Sequence, residues 1–496
     1  MSDKARCVGP PCGRIHRRTF LADVGMGFTG LALGSMLHGD GIARAALSPA
    51  RGEGLPHLPP KAKSVIWIFL SGGYSHLETF DPKPALNKYA GKTFEQTPFS
   101  NPLKSPLHDK RSRSVVTMKR DAYSTIFPLQ VGYKKHGQSG IEVSDWWPNL
   151  ATCVDDMAFV RSMYTTDNDH AAEAQIHTGR HRLDDTQPSI GAWVNYGLGS
   201  INENLPKFVV LGDFTNPLIN PDFHADYLGP KNAGIRLSLD PKHPLPFGVR
   251  SEDVLAREQQ NEFEFIHQLN SAAAVEYPQD EQLRARIRSY ELAFRMQMAV
   301  PEALGFSAET QNTQRLYGLD NPSTRPCGER LLAARRLAER GVRFTLVYLS
   351  SYGEWDSHQH LQKAHSECCA KVDKPVAGLL NDLKRRGLLD DTLVVFCTEF
   401  GRTPGFQTQF SDGNKDGRDH HPHGFTVWFA GAGVKRGVVH GATDELGFHA
   451  VEHEHYVTDI HATVLHLLGL DPTRLDIPGR KRLDLDHGQP IHQILT

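Results

Sequence analysis

SVIWIFL, residues 64–70, is a continuous apolar and β-branched run. Lys63 precedes it, and the small residues Ser71-Gly72-Gly73 follow it. A short apolar run bounded in this way is typical of a strand that is buried on both faces. Strands of this kind belong to parallel sheets covered by helices, so this stretch predicts an α/β fold.

Similar apolar runs recur along the chain and alternate with helical patterns. Further strands are predicted at Ala158–Arg161, Phe208–Leu211, Arg343–Leu349, Thr392–Cys397 and Phe425–Phe429. Helices are predicted at Gln282–Met298, Glu329–Arg340, Leu361–Arg386 and Val457–Leu468, with Pro375 as a kink or break in the third. This alternation predicts a mostly parallel central sheet with helices on both faces.

Two stretches lack the alternation of strands and helices. Residues 82–140 are rich in Pro, Lys and Ser, and residues 216–246 are rich in Pro, Asp and Gly. Both are predicted to be insertions that form loops or small subdomains over the sheet edge. The sequence therefore predicts a single α/β domain over residues 46–496 with these two insertions.

The N-terminal residues carry an export pattern. Arg17-Arg18-Thr19-Phe20-Leu21 precede a weakly apolar run from Val24 to Leu37, and Ala43-Arg44-Ala45 suits cleavage before Ala46. Twin arginines, a short apolar run and a small-residue site are the parts of a bacterial twin-arginine signal. We therefore expect residues 1–45 to be a signal peptide, the twin-arginine export machinery to be a partner, and the mature chain to be periplasmic or extracellular.

Charge and composition exclude several classes of protein. The formal net charge is −2, so there is no basic field that would attract nucleic acid. After the N-terminal run no segment approaches 18 apolar residues, so we expect no membrane span in the mature chain. Five cysteines follow residue 45, an odd number without a C-x-x-C pair, which argues against a disulfide scaffold but leaves one bridge open.

Carboxylates and imidazoles cluster where the predicted strands end. Ligands bind outside the carboxyl ends of the strands in such sheets. The candidate metal ligands in these segments are His76, Glu78, Asp81, Asp356, His358, His360, Glu399, His420 and His423. Asp, Glu and His together suit a divalent ion such as Zn²⁺ or Mn²⁺, and their number allows two ions about 4 Å apart. The sequence therefore predicts a rim that holds one or two divalent ions.

Six longer stretches point to a known family. They are SGGYSHLETFDPKP, QPSIGAWVNYGLG, EWDSHQH, TEFGRTP, GRDHHPH and TDIHATVLHLLGLD, and they extend from about residue 63 to about residue 471. With them the chain resembles the exported family called domain of unknown function 1501, which looks like a branch of the alkaline phosphatase and sulfatase superfamily. The resemblance implies an alkaline-phosphatase-like sheet between helices, with a divalent-metal rim.

The resemblance also implies roles for single residues. Superfamily members place an Asp and a His on one loop, and Asp356 with His358 or His360 matches that loop. They place an Asp at the end of the next strand, where Glu399 stands. A later His is matched best by His420 and next by His423. The usual Asp at the end of the first strand is missing, because Leu70-Ser71-Gly72 stands there, and so His76, Glu78 and Asp81 remain alternatives.

The usual nucleophile is missing as well. Sulfatases carry it in C-x-P-x-R before a T-G, and here Asp169 and His170 stand at that position before Thr178-Gly179. Either residue is a candidate nucleophile, base or metal ligand, while Thr165 and Thr166 are expected only to hydrogen-bond locally. Arg402 and Arg180 are candidates for holding an anionic group, since a guanidinium matches its oxygens bidentately.

These patterns predict an exported metal-dependent hydrolase of phosphate or sulfate esters. Its partner would be an anionic small-molecule or polysaccharide ester, polarised by the metal. The missing nucleophile leaves an alternative open: a non-catalytic exported protein that binds sulfated or phosphorylated polysaccharide.

Overall fold

The structure is a computed structural model of the chain. It describes residues 54–111, 113, 125–213, 216–218, 223–240, 256–276, 295–296, 299–407, 416–477, 479–480 and 487–496. The predicted signal peptide and most of the predicted helix Gln282–Met298 lie outside the described residues. The chain divides into two compact units, one of residues 1–51 and 250–295 and one of residues 52–249 and 296–496.

Among the described residues, nine strands form a mostly parallel sheet in the larger unit. The described strands, numbered in chain order, are β1 Ser64–Phe69, β2 Tyr133–His136, β3 Ile141–Ser144, β4 Met157–Tyr164, β5 Phe208–Leu211, β6 Ile235–Leu237, β7 Phe344–Tyr348, β8 Thr392–Cys397, β9 Gly401–Arg402, β10 His420–His421, β11 Phe425–Ala430, β12 Val438–His440, β13 Ala442–Thr443, β14 Ala450–Glu452 and β15 His455–Tyr456. The order in the sheet is β12-β4-β11-β8-β1-β7-β5-β6, and β15 also pairs with β4. β11 is antiparallel to both of its neighbours, and the other pairs in this sheet are parallel.

The helices that the structure describes belong to both compact units. In chain order they are α1 Pro84–Lys88, α2 Pro106–Arg111, α3 Ala172–Thr178, α4 Ile190–Leu198, α5 Ala256–Glu276, α6 Gln311–Leu316, α7 Arg325–Glu339, α8 Leu361–Arg385 and α9 Val457–Leu467. Helix α5 belongs to the smaller unit, and the others belong to the larger one. No helix in the described part of the chain is long and apolar enough to cross a bilayer.

Both faces of the sheet are buried. Val65, Trp67 and Phe69 of β1 point into a core that also contains residues of α4 and α9. Ile66 and Ile68 point to the opposite face of the sheet and are fully buried too. Helix α7 packs against β1 and β7. The fold is therefore the predicted α/β class, with a mostly parallel central sheet between helices.

The predicted strands are all present, as β1, β4, β5, β7, β8 and β11. Two details differ from the sequence prediction. Residues 216–246 contribute the edge strand β6, whose three residues are too short to give a pattern. Helix α8 continues through Pro375 without a break. Buried residues before and after the proline, including Val372, Val376 and Leu379, hold the helix against the core.

Strand order brings the candidate functional loops together. β1 lies between β7 and β8, in parallel with both, so their carboxyl ends meet at one edge of the sheet. The loops that follow them contain residues 71–73, 350–360 and 398–400. The short ladder of β9 and β10 pairs Arg402 with His420, which fixes the segment before β11 to the same rim.

The cysteines of the larger unit form no bridge. Cys153, Cys327, Cys368, Cys369 and Cys397 are all buried and free. Burial raises the pKa of each of these thiols, so they are small apolar core residues.

Candidate metal site

Asp356 is the residue on which the site converges. Its Oδ1 lies 2.9 Å from Nε2 of His358 and 3.0 Å from Nε2 of His420, and its Oδ2 lies 3.1 Å from Nε2 of His170. The three imidazoles come from the loop after β7, from β10 and from the segment before α3. Residues far apart in the sequence therefore meet on one carboxylate.

Two groups within this cluster could hold a metal ion. One donor atom each from His170, Asp356 and His420 lie within 4.8 Å of one another, and the same holds for His358, Asp419 and His420. His420 belongs to both groups. Imidazole and carboxylate donors of this kind suit Zn²⁺ or Mn²⁺.

His170 lies between two carboxylates. Its Nδ1 is 3.1 Å from Oε1 of Glu399, and its Nε2 faces Asp356. Glu399 is fully buried, and it accepts hydrogen bonds from the Gly72 N–H at 2.8 Å and the Thr398 hydroxyl at 2.9 Å. Burial favours the neutral ring, but the hydrogen bonds and charges of Asp356 and Glu399 outweigh it and raise the pKa of His170 to about 10.

Arg402 holds Asp356 from behind. Its Nη2 lies 2.7 Å from Asp356 Oδ1, its Nε donates to the Gly73 carbonyl at 2.7 Å, and its Nη1 donates to the Arg418 carbonyl at 3.2 Å. Burial opposes the ionised form of Asp356, but Arg402 and His420 hold the pKa of Asp356 well below its usual range. Arg402 is itself fully buried, so it positions Asp356 instead of facing an anionic ligand.

The tautomer of His420 leaves an electron pair facing Asp356. Burial holds the pKa of His420 well below its usual range, which favours the neutral ring. Its Nδ1 lies 2.9 Å from the Asn168 carbonyl, which only an N–H at Nδ1 can satisfy. The Nε2 lone pair then points at a carboxylate oxygen 3.0 Å away. Two facing electron pairs need a cation between them, so the donor set fits a metal ion.

The candidates from the loop after β1 are held elsewhere. Nε2 of His76 lies 2.9 Å from the Gly447 carbonyl. Glu78 forms a fully buried ion pair with Arg418, with 2.7 Å between Oε1 and Nη2. Asp81 contacts Lys83 at 3.1 Å and the Thr443 hydroxyl at 2.5 Å. His76, Glu78 and Asp81 therefore contact Gly447, Arg418 and Thr443. These contacts stabilise the loop after β1, and the three side chains do not join the cluster around Asp356.

Three further candidates also lie outside the cluster around Asp356. His360 precedes α8 with an exposed side chain, and its Nδ1 lies 2.7 Å from Asp416 Oδ2. His423 is buried among other rings, 5.2 Å from His421 and 5.3 Å from His449 between ring centroids. Arg180 lies 3.8 Å from Asp184 on the same segment.

Asp169 lies next to the cluster. Its Oδ1 accepts the His170 N–H at 2.8 Å, and its Oδ2 lies 3.4 Å from Nη2 of Arg182. Thr165 and Thr166 both hydrogen-bond to Gln175 nearby. Within this segment the imidazole of His170 is therefore the side chain that contacts Asp356.

Two acids of the site were missed by the sequence reasoning. Asp419 is buried, accepts the His420 N–H at 2.8 Å, and lies 3.7 Å from Nδ1 of His358. Its place directly before the His pair in GRDHHPH was the available signal. Glu173 accepts a hydrogen bond from the Ser71 hydroxyl, which itself accepts the Gly353 N–H at 3.0 Å. Ser71 and Glu173 thus lie at the end of β1, where Leu70-Ser71-Gly72 contains no acid.

The fold and the site define a class: an α/β protein that gathers carboxylates and imidazoles at the carboxyl end of a mostly parallel sheet. The chain belongs to the family described as protein of unknown function DUF1501, whose model matches residues 62–495. This match confirms the family resemblance predicted from the motifs. No curated protein matches the chain.

Several solved structures are similar to the chain at low identity. The phosphonate monoester hydrolase SpPMH from Silicibacter pomeroyi is 13% identical, with a TM-score of 0.38, covering 87% of this chain and 76% of that one. The PsFucS1 sulfatase from Pseudoalteromonas sp. is 13% identical, with a TM-score of 0.34, covering 89% and 71%. A protein in the alkaline phosphatase superfamily from Vibrio parahaemolyticus is 11% identical, with a TM-score of 0.35, covering 92% and 78%.

Proposed function

We propose that the protein is a metal-dependent hydrolase of phosphate or sulfate esters. The observation that carries the proposal is the contact between His420 and Asp356, in which an imidazole nitrogen and a carboxylate oxygen face each other at 3.0 Å. A divalent cation satisfies both groups at once. His170, His358 and Asp419 supply further donor atoms around the same point.

The proposed metal ligands are Asp356, His420, His358 and Asp419, for one or two Zn²⁺ or Mn²⁺ ions. A divalent ion at this site would polarise an ester oxygen and make water more acidic. The protein supplies the orientation of these ligands. Arg402 fixes the carboxylate of Asp356, and the Asn168 carbonyl fixes the tautomer of His420. Supporting contacts of this kind typically raise metal affinity by about 10- to 100-fold.

We propose that His170 is the acid–base residue of the reaction. Glu399 contacts its Nδ1, which leaves Nε2 as the atom that can take or give a proton on the side of Asp356. Glu399 is in turn held by Gly72 and Thr398, so the ring has a fixed orientation. Asp169 remains a proposed second catalytic group, because it lies beside His170 on the same segment.

Recognition of the anionic ester is assigned to Arg180. Arg402 is enclosed by backbone carbonyls, whereas the Arg180 side chain is 14% exposed and pairs loosely with Asp184 at 3.8 Å. A guanidinium that exchanges a distant partner for a phosphate or sulfate forms shorter, bidentate hydrogen bonds. Export through the twin-arginine pathway, and hence a periplasmic or extracellular site of action, is part of the same proposal and rests on the N-terminal motif.

The test is hydrolysis of a panel of 4-nitrophenyl phosphate, bis(4-nitrophenyl) phosphate, 4-nitrophenyl phenylphosphonate and 4-nitrophenyl sulfate by protein loaded with Zn²⁺ or Mn²⁺. We expect turnover of at least one ester, its loss in Asp356→Asn, and full retention in His360→Gln, a matched control from the same loop. A wild-type protein that is inert on the whole panel but binds a sulfated polysaccharide contradicts the proposal and supports the non-catalytic alternative.

A further inference from the structure

A separate group of histidines lies at the sheet edge, where β12 ends and β15 begins. Nε2 of His440 lies 2.9 Å from Nε2 of His455. Nδ1 of His455 lies 2.8 Å from Oδ2 of Asp459 in the first turn of α9. These residues belong neither to the cluster around Asp356 nor to any predicted site.

Backbone pairing holds the two imidazoles in place. β12 and β15 both run parallel to β4, with His440 opposite Val160 and His455 opposite Met163. Between them the chain leaves the edge as the antiparallel pair β13 and β14, and then returns. The two histidines therefore lie at the two ends of the segment that contains β13 and β14, and the strand of each one pairs with β4.

The contact with Asp459 sets the tautomer of His455. A carboxylate at Nδ1 keeps the proton on that nitrogen and leaves a lone pair at Nε2, the atom that faces His440. A carboxylate behind a histidine is the arrangement that orients imidazole ligands at metal sites. The same contact therefore presents Nε2 of His455 as a donor to an ion.

The spacing of the two Nε2 atoms suits ligands of one ion. With metal–nitrogen distances of roughly 2.0–2.1 Å, a separation of 2.9 Å places two donors at about 90° around one ion. That angle is found in tetragonal Cu²⁺ and Ni²⁺ sites, and opening the pair by about 0.4 Å reaches the tetrahedral angle that Zn²⁺ prefers. We propose that His440 and His455 form a second site, for an imidazole-binding transition metal ion.

The site is open on one side. The side chain of His455 is 13% exposed, and His453, which stacks on His440 with 5.1 Å between ring centroids, is 59% exposed. An ion can therefore enter from solvent and complete its coordination with water. Bound there, it would join β12, β15 and the first turn of α9, and it would stabilise the folded chain by mass action.

Equilibrium dialysis against Zn²⁺, followed by elemental analysis, tests the site in the full chain. Compared with wild type, His440→Gln/His455→Gln is expected to lose one ion per chain and most of the Zn²⁺-induced rise in Tm. His466→Gln/His492→Gln is the matched control, because its two rings lie at a similar distance, 5.3 Å between centroids. An unchanged stoichiometry in His440→Gln/His455→Gln overturns the proposal.

A milder variant keeps the proposal testable if the double variant does not fold. Asp459→Asn retains both imidazoles and is expected to weaken Zn²⁺ binding at this site about 10- to 100-fold. Electron paramagnetic resonance of Cu²⁺ added to wild type should show nitrogen couplings from two imidazoles, also in Asp356→Asn. Unchanged affinity in Asp459→Asn, together with no such Cu²⁺ signal, would show that the two rings share only a hydrogen bond.

Discussion

Nε2 of His420 lies 3.0 Å from Oδ1 of Asp356, although 64 positions of sequence separate the two residues. Strand order explains this contact. Asp356 follows β7 and His420 lies on β10, which pairs with the loop after β8. Because β1 separates β7 from β8, the rim of three parallel strands carries both residues. The contact joins the two halves of the proposed metal site.

Replacing His170 tests its proposed acid–base role. His170→Ala is expected to lower kcat by about 10²- to 10⁴-fold, the usual contribution of a positioned acid–base group. Thr166→Ala is the matched control from the same segment, and it should retain activity because Thr166 bonds to Gln175. Loss of activity in Thr166→Ala with retention in His170→Ala would reverse the assignment.

Metal loading should release a proton from His170. In the metal-free protein the carboxylates of Asp356 and Glu399 raise the pKa of His170 to about 10, so the ring is protonated at pH 8. A divalent ion at Asp356 compensates the negative charge that raises this pKa and adds a positive charge beside the ring, and both effects lower the pKa of His170. Calorimetry of Zn²⁺ binding at pH 8 in buffers of different ionisation enthalpy should therefore report about one proton more for wild type than for His170→Gln. Equal proton release from the two proteins would mean that metal binding does not change the protonation of His170.

Glu78 should matter for stability and not for metal content. Glu78→Gln leaves the buried guanidinium of Arg418 without its charge partner, which should cost about 3–5 kcal/mol of unfolding free energy. Asp156→Asn, which removes the more exposed pair with Lys384, should cost about 1 kcal/mol or less. Chemical denaturation measures both unfolding free energies. Loss of bound metal from a folded Glu78→Gln variant would indicate that Glu78 is a metal ligand after all.

Export should depend on the twin arginines. Arg17→Lys/Arg18→Lys is expected to leave the protein in the cytoplasm of a host with a twin-arginine pathway, because the apolar run from Val24 to Leu37 is too weak for an alternative signal. Arg14→Lys, just outside the pair, is the control and should be exported. Cell fractionation and immunoblotting give the answer, and normal export of the double variant would contradict the signal assignment.

The sheet could be predicted because each of its long strands is a buried apolar run. β1, β5 and β8 have bounds within one residue of the predicted ones, since Ser, Gly and charged residues close these runs. β6 could not be predicted, because three residues at a sheet edge leave no periodic pattern. Pro375 indicated a kink or a break, and the break is absent, since local propensity carries no information about the core that holds α8 together.

The candidate site could be predicted only to the level of loops. Carboxylates and imidazoles after β7 and β8 indicated a rim, and Asp356, His358, Glu399 and His420 meet there. The partner of a side chain can come from a residue hundreds of positions away, as for His170 and Glu399. Arg418, 340 positions after Glu78, removes that acid from the candidate ligands, and no pattern within the first loop signals it. Arg402 was a candidate for holding an anionic group for the same reason, since burial by backbone carbonyls leaves no trace in TEFGRTP.

The most direct test of the central claim is the metal content of the chain after loading with Zn²⁺ or Mn²⁺ and removal of free ion. Elemental analysis of wild type, Asp356→Asn/His420→Ala and the control His360→Gln decides it. We predict that Asp356→Asn/His420→Ala holds one or two ions fewer per chain than wild type, and that His360→Gln equals wild type. Equal metal content in wild type and in a folded Asp356→Asn/His420→Ala would contradict the account, because the cluster around Asp356 would then hold no metal.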